Sequence, residues 1–341
     1  MSRMIPKIPV TVERPWQKEL ADCITDPSEL LARLNLSAHE NEADSAAREL
    51  FAMRVPRPFV AKMVAGDWHD PLFRQVYTQS AEFLQEPGFS HDPLDEQDNI
   101  TPGILHKYQS RALLIVRGGC AINCRYCFRR HFPYGDNHLN KRDWMVALQH
   151  IRSDNNINEV ILSGGDPLMA KDDFLAWLCD QISEIPHIRR LRIHTRLPVV
   201  IPSRVCEDLL AWINSLNLPL VMVLHINHAN EIDPLLATRL QQLKRAGVTL
   251  LNQAVLLKGV NDSADALEAL SERLFAAGVL PYYLHMLDKV QGAQHFDVSD
   301  ERARELMAEI IRRLPGFLVP RLVREIAGQP GKTPVDLLLH P

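Results

Sequence analysis

Residues 112–132 read ALLIVRGGCAINCRYCFRRHF: a short apolar run, two glycines, then three cysteines spaced C-x3-C-x2-C. A run so rich in Leu, Ile and Val suits a strand covered on both faces. Five more runs follow it, EVILSG (159–164), LRIHT (191–195), LVMVLHI (220–226), TLLNQAVLL (249–257) and PYYLHML (281–287). Between and after them, stretches near 141–152, 171–183, 203–215, 232–245, 263–277 and 300–313 have the spacing of amphipathic helices. Strands that each precede a helix predict parallel pairing through right-handed crossovers, an α/β fold. Six units fall short of the usual eight-stranded closure, so a doubly wound sheet and an incomplete barrel both fit. In either fold the reactive groups belong at the carboxyl ends of the strands. GGC, SGGDP, HTR, HINH and LDK all fall there.

Ahead of this core the pattern is helical from Glu19 to about Gln85, with a start at TDPSELLARL, where Asp26 or Ser28 can cap the exposed amides. PGFSHDPLDEQDNITPGILHKY (87–108), rich in Pro, Gly and acid, reads as an irregular linker. At the far end, FLVPRLVREIAGQPGKTPVDLLLHP (317–341) gives a strand-like run, a Gly/Pro turn bearing a lysine, and an apolar tail, with a place beside the open edge of the sheet. The expected organisation is a helical N-terminal region and linker over 1–100, a β/α core over 101–315, and a C-terminal strand segment over 316–341.

The 341 residues are 46% hydrophobic and 23% charged, as in soluble globular proteins, and a formal charge of −4 offers no global attraction to nucleic acid or an anionic membrane. The first twenty residues lack a secretory h-region, and no apolar run nears the roughly 18 residues of a membrane span. A cytoplasmic location is expected, where clustered cysteines read as metal ligands or redox groups rather than disulfides. Cys23, Cys179 and Cys206 stand apart and read as small core residues. Arg189, Arg190, Arg192 and Arg196 have no aromatic stacking set beside them and read as a solvated rim with one of the four near a cofactor.

Three thiolates in one loop suit zinc or an iron–sulfur cluster. For zinc, His131 completes a Cys3His set. A cubane on Cys120, Cys124 and Cys127 leaves one iron free for a small ligand. In SGGDPL (163–168) the glycines allow close backbone approach, and Asp166 can cap the next helix. His225 and His228, on a strand end, lack the helical spacing of a metal pair and read as orienting groups.

With the cysteine spacing and strand-end glycines in place, the chain resembles the radical S-adenosylmethionine (SAM) superfamily. CRYCFRRHF, RIHTRLPVVIPSR, HINHANEI, NQAVLLKGVND and GKTPV make it similar, from about His106 onward, to the lysine 2,3-aminomutase family. That resemblance implies a partial (β/α)6 barrel, with a [4Fe–4S] cluster on Cys120, Cys124 and Cys127 and SAM on the open iron and on Ser163, Gly164, Gly165 and Asp166. It also implies pyridoxal 5′-phosphate (PLP) carried by Lys332 through a Schiff base, with Lys107, Tyr108 and Arg111 on the phosphate side. For an L-lysine substrate, it implies Arg129 on the carboxylate and Asp288 on the ε-ammonium.

Two departures stand out. The second anchoring aspartate of the family falls on Glu325, and the run before Lys332 is altered to GQPG (328–331). Lys332 has no cysteine-bearing extension after it, so the zinc site of longer relatives is not expected. Within the family the sequence is most like the branch that supplies β-lysine, the R isomer, to a ligase that modifies elongation factor P. An electron donor such as flavodoxin or ferredoxin is implied as well. The alternatives are a catabolic aminomutase acting on lysine, glutamate or arginine, and a non-catalytic zinc-binding interaction protein.

Overall fold

The spatial order of the strands is their order in the chain, and that decides the architecture. In the computed structural model, which describes residues 15–37, 42–96, 103–133, 139–329 and 331–339, nine strands form one sheet. They are β1 (Ile104–Tyr108), β2 (Arg111–Arg117), β3 (Glu159–Gly164), β4 (Arg190–Thr195), β5 (Leu220–His225), β6 (Thr249–Val255), β7 (Leu280–His285), β8 (Arg321–Arg324) and β9 (Thr333–Pro334). Strands β2 to β8 run parallel, and β1 and β9 close the two edges antiparallel. A doubly wound sheet reverses its order at a switch point. This one never reverses and its edges pair with one neighbour each, so it is a barrel left open between β1 and β9.

Among the described residues, five short helices precede the sheet: α1 (Pro15–Ala21), α2 (Pro27–Arg33), α3 (Glu42–Leu50), α4 (Arg57–Val60) and α5 (Pro71–Arg74). The helical lead-in is therefore broken, not continuous. Pro27 and Pro71 each sit in the first turn of a helix, where a missing N–H costs nothing. Asp26 is the cap of α2, accepting from the Ser28 amide. Trp16, Phe59 and Phe73 join the same hydrophobic core as the barrel.

Around the sheet lie α6 (Lys141–Ser153), α7 (Asp172–Ser183), α8 (Leu197–Val200), α9 (Glu207–Ser215), α10 (Pro234–Arg245), α11 (Ala264–Ala276) and α12 (Asp300–Arg313). Helix α6 shows why: Asn140 and Asp143 form a capping box, and Trp144, Ala147, Leu148 and Ile151 make one buried stripe. No helix among the described residues is long and apolar enough to cross a membrane.

The six strands read from the sequence are β2 to β7, and the C-terminal run is β8, beside β7 as expected. Residues 104–108, assigned to the linker, instead form β1 and turn tightly into β2. Helix α9 begins at Glu207, because Pro202–Arg204 makes a separate 3-10 turn. The first fourteen residues and linker residues 97–102 lie outside the described residues.

Strand alternation divides the sheet into two faces. Leu114, Val160, Leu162, Leu191, Ile193, Met222 and Leu224 face the helices and build the core. Ser163, Arg192, His194, His225, Gln253, Tyr283 and His285 line the hollow inside. The interior thus sets polar groups among apolar ones such as Leu113, Ile161 and Val255, the composition of a ligand cavity rather than of a packed barrel centre.

Candidate active site

One cavity is lined by all three loop cysteines, by Ser163, Gly164, Gly165 and Asp166, and by Lys107, Tyr108, Arg111, Arg129, Asp288, Glu325 and Lys332. The cysteines follow β2 at the mouth. Burial, helped by neighbouring cysteines in the loop, pushes the Cys120 thiol well up and the Cys127 thiol up to about 11. Thiols that resist ionising alone ionise when a metal centre takes up their charge.

Four thiolates around zinc stand about 3.8 Å apart, given Zn–S bonds of about 2.3 Å. Among the described residues, the trio of ligating atoms within 4.8 Å of one another is Asp172, Cys206 and Asp208, not the loop cysteines. Nor does His131 join them: its Nε2 faces the Gln291 carbonyl oxygen at 3.3 Å, and its ring stacks on His91. Asp172 belongs to the fold, accepting from Arg204 and Trp212.

Glycines fasten the cysteine loop to β3. The Gly165 amide donates to the Arg117 carbonyl oxygen at 2.6 Å and the Asp166 amide to that of Gly119 at 3.0 Å. A Cβ on Gly165 would meet the Gly119 carbonyl oxygen at 2.5 Å, backbone that cannot step aside. Gly165→Ala is therefore expected to destabilise the fold by about 1–3 kcal/mol, the range for overpacking. The denaturation midpoint checks this, with Gly119→Ala, whose Cβ would meet nothing within 4 Å, expected to leave it unchanged.

The Asp166 carboxylate is not free for a ligand. It accepts from the Leu168, Arg196 and Leu197 amides and the Thr195 hydroxyl, bracing the turn after β3 against the one after β4. The ligand-facing candidates in SGGD are thus the strand-end groups of Ser163, Gly164 and Gly165.

Arg129 is gripped along one edge by Glu96, Nε to Oε2 at 2.7 Å and Nη2 to Oε1 at 3.2 Å. Its Nη1 makes longer contacts with Ser163 Oγ and the Gly164 carbonyl oxygen, 3.4 and 3.3 Å. Lys107 donates to the Leu94 carbonyl oxygen and pairs with Glu96 at 3.0 Å. Burial pushes the Glu96 carboxyl up, but Arg129 and Lys107 outweigh it and hold the group below its ordinary range. Sequence reading missed Glu96; nothing local separates it from Asp92, Asp95 and Asp98.

At the open seam, Glu325 accepts from Lys332 Nζ at 2.5 Å and from the Tyr108 hydroxyl at 2.5 Å. This links β1 to the segment between β8 and β9. Burial pushes the Tyr108 phenol up and the Glu325 carboxylate pushes it further, while the Arg111 guanidinium lies 4.1 Å over its ring. Burial raises the Glu325 carboxyl too, but Lys332 overrides this and holds it low. Asp288 has no ion pair among the described residues, and burial raises its carboxyl to about 7.

The histidines split. His225 faces the cavity with Nε2 3.2 Å from the Tyr126 hydroxyl, and burial drives its pKa down to about 3. His228 caps the 3-10 turn Ala229–Glu231 instead, so the two do not form a metal pair. His194 and His285 line the cavity with Nε2 unpartnered and are held neutral by burial. Orphaned buried nitrogens of this kind suit hydrogen bonding to a polar ligand. Arg196 is not on the rim: it is 7% exposed and sits in the cavity wall. Arg192 pairs with Glu159 at 2.6 Å.

A model of the radical SAM superfamily matches residues 114–270. Over 326 residues the chain is 56% identical to the L-lysine 2,3-aminomutase of Escherichia coli, covering 95% of each chain. It is 54% identical to that of Haemophilus influenzae, over 97% of this chain and 98% of the relative. Against the L-lysine 2,3-aminomutase of Clostridium subterminale it is 31% identical over 94% of this chain and 77% of the relative.

Proposed function

Since the chain belongs to the L-lysine 2,3-aminomutase family of the radical SAM superfamily, we propose that it converts L-lysine to β-lysine, as the R isomer, for the modification of elongation factor P. It is an isomerase, and the [4Fe–4S] cluster and SAM are those of its superfamily. When bound, cluster and SAM supply a carbon-centred radical that removes and returns hydrogen, and PLP supplies the carbonyl that carries the migrating amino group.

Each side chain then has a task. Cys120, Cys124 and Cys127 hold the cluster. Ser163, Gly164 and Gly165 hold SAM with backbone and hydroxyl groups, and Asp166 keeps their turn in place. Lys332 carries PLP, and Arg111 and Tyr108 stand on its phosphate side, with Lys107 acting through Glu96. Arg129 presents its Nη1–Nη2 edge to the substrate carboxylate while Glu96 holds the other edge, and a planar fork is well shaped for that. Asp288 takes the ε-ammonium, and Glu325 joins it once Lys332 no longer needs its charge. Holding the reacting atoms in register is the main contribution of the protein.

The observation that carries this reading is the shared cavity: a carboxylate clamp and a pair of acids line it together with the three cysteines and Lys332. Such a cavity suits an amino acid with a second cation. The proposed division of labour puts the helical region in 1–100, the barrel in 101–315 and the PLP-lysine segment in 316–341. The electron donor is a flavodoxin or ferredoxin, the recipient of the product is the ligase acting on elongation factor P, and the location is the cytoplasm. The test is anaerobic incubation of reconstituted, reduced protein with SAM, PLP and L-lysine, followed by chiral resolution. β-Lysine is expected; its absence with iron and PLP shown to be bound overturns the reading. Loss of the adduct mass on elongation factor P in a deletion strain tests the physiological half.

A further inference from the structure

Arg196 follows β4 and reaches across the barrel mouth to the cysteine loop. Its Nη1 lies 2.6 Å from Cys124 Sγ and 2.6 Å from the Tyr126 hydroxyl. Its Nη2 donates to Gln75 Oε1 at 2.8 Å and to Glu231 Oε2 at 3.0 Å. We propose that Arg196 is a positioning residue for the cluster, whose buried charge and hydrogen bond to the Cys124 sulfur raise the cluster's reduction potential. This rests on the reading that Cys124 is a cluster ligand.

The geometry leaves the guanidinium little choice of orientation. At the backbone end, the Arg196 amide is held by Asp166 at 2.8 Å. At the far end, Glu231 is fully buried and pinned by three further donors, Gln75 Nε2 and the Asn227 and His228 amides. Phe59 and Tyr126 flank the guanidinium at 5.4 and 5.9 Å. A charge so enclosed is little screened by solvent. If Arg196 were only a mate for Glu231, a Cys124 contact would add nothing. Instead the remaining edge of Nη1 is turned to the sulfur.

One-electron reduction of a cluster adds a negative charge with no proton to offset it, so a fixed cation and a hydrogen bond at a ligating sulfur favour the reduced form. The electron comes from an external one-electron reductant. Glu231 opposes Arg196, so the two residues should act with opposite sign. That opposition separates electrostatic control from mere support.

The experiment is a redox titration of the reconstituted full chain followed by electron paramagnetic resonance, with dithionite as reductant and without SAM, PLP or lysine. At a fixed poise, Arg196→Gln should lower the ratio of reduced to oxidised cluster about tenfold, a midpoint shift of about 59 mV for one electron. Arg196→Lys, which keeps the charge, should recover most of the loss, and Glu231→Gln should shift the midpoint upward. Should Arg196→Gln fail to fold, the Lys and Glu231→Gln variants carry the test. Midpoints that stay put, or that move the same way in both charge variants, overturn the proposal. Wild-type protein that takes up no iron rejects the cluster reading itself.

Discussion

Lys332→Ala is expected to lower β-lysine formation by at least about three orders of magnitude, some 4 kcal/mol of barrier, while iron content stays at the wild-type level. The cavity is lined by two lysines, Lys107 and Lys332. Lys107 already donates to the Leu94 carbonyl oxygen and to Glu96, which fixes its ammonium away from other work. Lys332 is held by a single carboxylate, at the seam where β1 and β8 face each other. Glu325 Oε2, 2.5 Å from Nζ, fixes where that amine stands, as a lysine that must meet a carbonyl requires. Tyr108 holds the other oxygen of that carboxylate, so Glu325 keeps Nζ at one place on the seam. Absorbance of bound PLP and product formation check the result together. A variant that keeps more than a tenth of wild-type activity would move the role to Lys107 and sink the assignment.

Lys332 and Glu325 came from the family resemblance, through GKTPV and a count back from it, and neither has a signal of its own, whereas several elements of the fold do. Strand β3 was read to the residue because EVILSG is a compact apolar run, and α11 and α12 were read to within a residue or so because their stripes and caps are complete. Strand β1 escaped because ILHKY lies against Gly, Pro and acid, and its pairing with β2 has no period of its own. Glu96 and Glu231 escaped for another reason. Each acts through a partner far along the chain, 33 residues away for Arg129 and 35 for Arg196, and a lone polar residue announces no such partner. Which arginine leaves the rim was not legible, because four arginines close together look alike in one dimension. Strand parity puts positions 192 and 194 on the cavity face, but Arg196 lies beyond the end of β4, where parity no longer tells.

Asp288→Asn is expected to reduce kcat/KM for lysine by about 30-fold to several thousandfold, chiefly through KM. This follows from the 2–5 kcal/mol that loss of one partner of a buried charge pair costs. Its pH dependence follows from burial, which raises the carboxyl to about 7. Below that pH the group is neutral and attracts the ε-ammonium weakly; above it the charge is present. In wild-type protein kcat/KM should therefore rise about tenfold per pH unit up to about 7 and then level, a profile that belongs to the free enzyme. The Asn variant should lack that limb.

Stability must move the other way. The folded carboxyl titrates near 7 and the unfolded one near 3.8, so between these values the folded state binds more protons. Stability then falls as pH rises through that window and stays reduced above it. Asp288→Asn removes the penalty: its unfolding midpoint should exceed that of the wild type at pH 8 and match it near pH 4. A carboxylate kept only for the fold would lose stability on substitution. Gaining stability while losing substrate is what a buried acid reserved for a cation predicts, and an Asn variant less stable at pH 8 would remove Asp288 from that role.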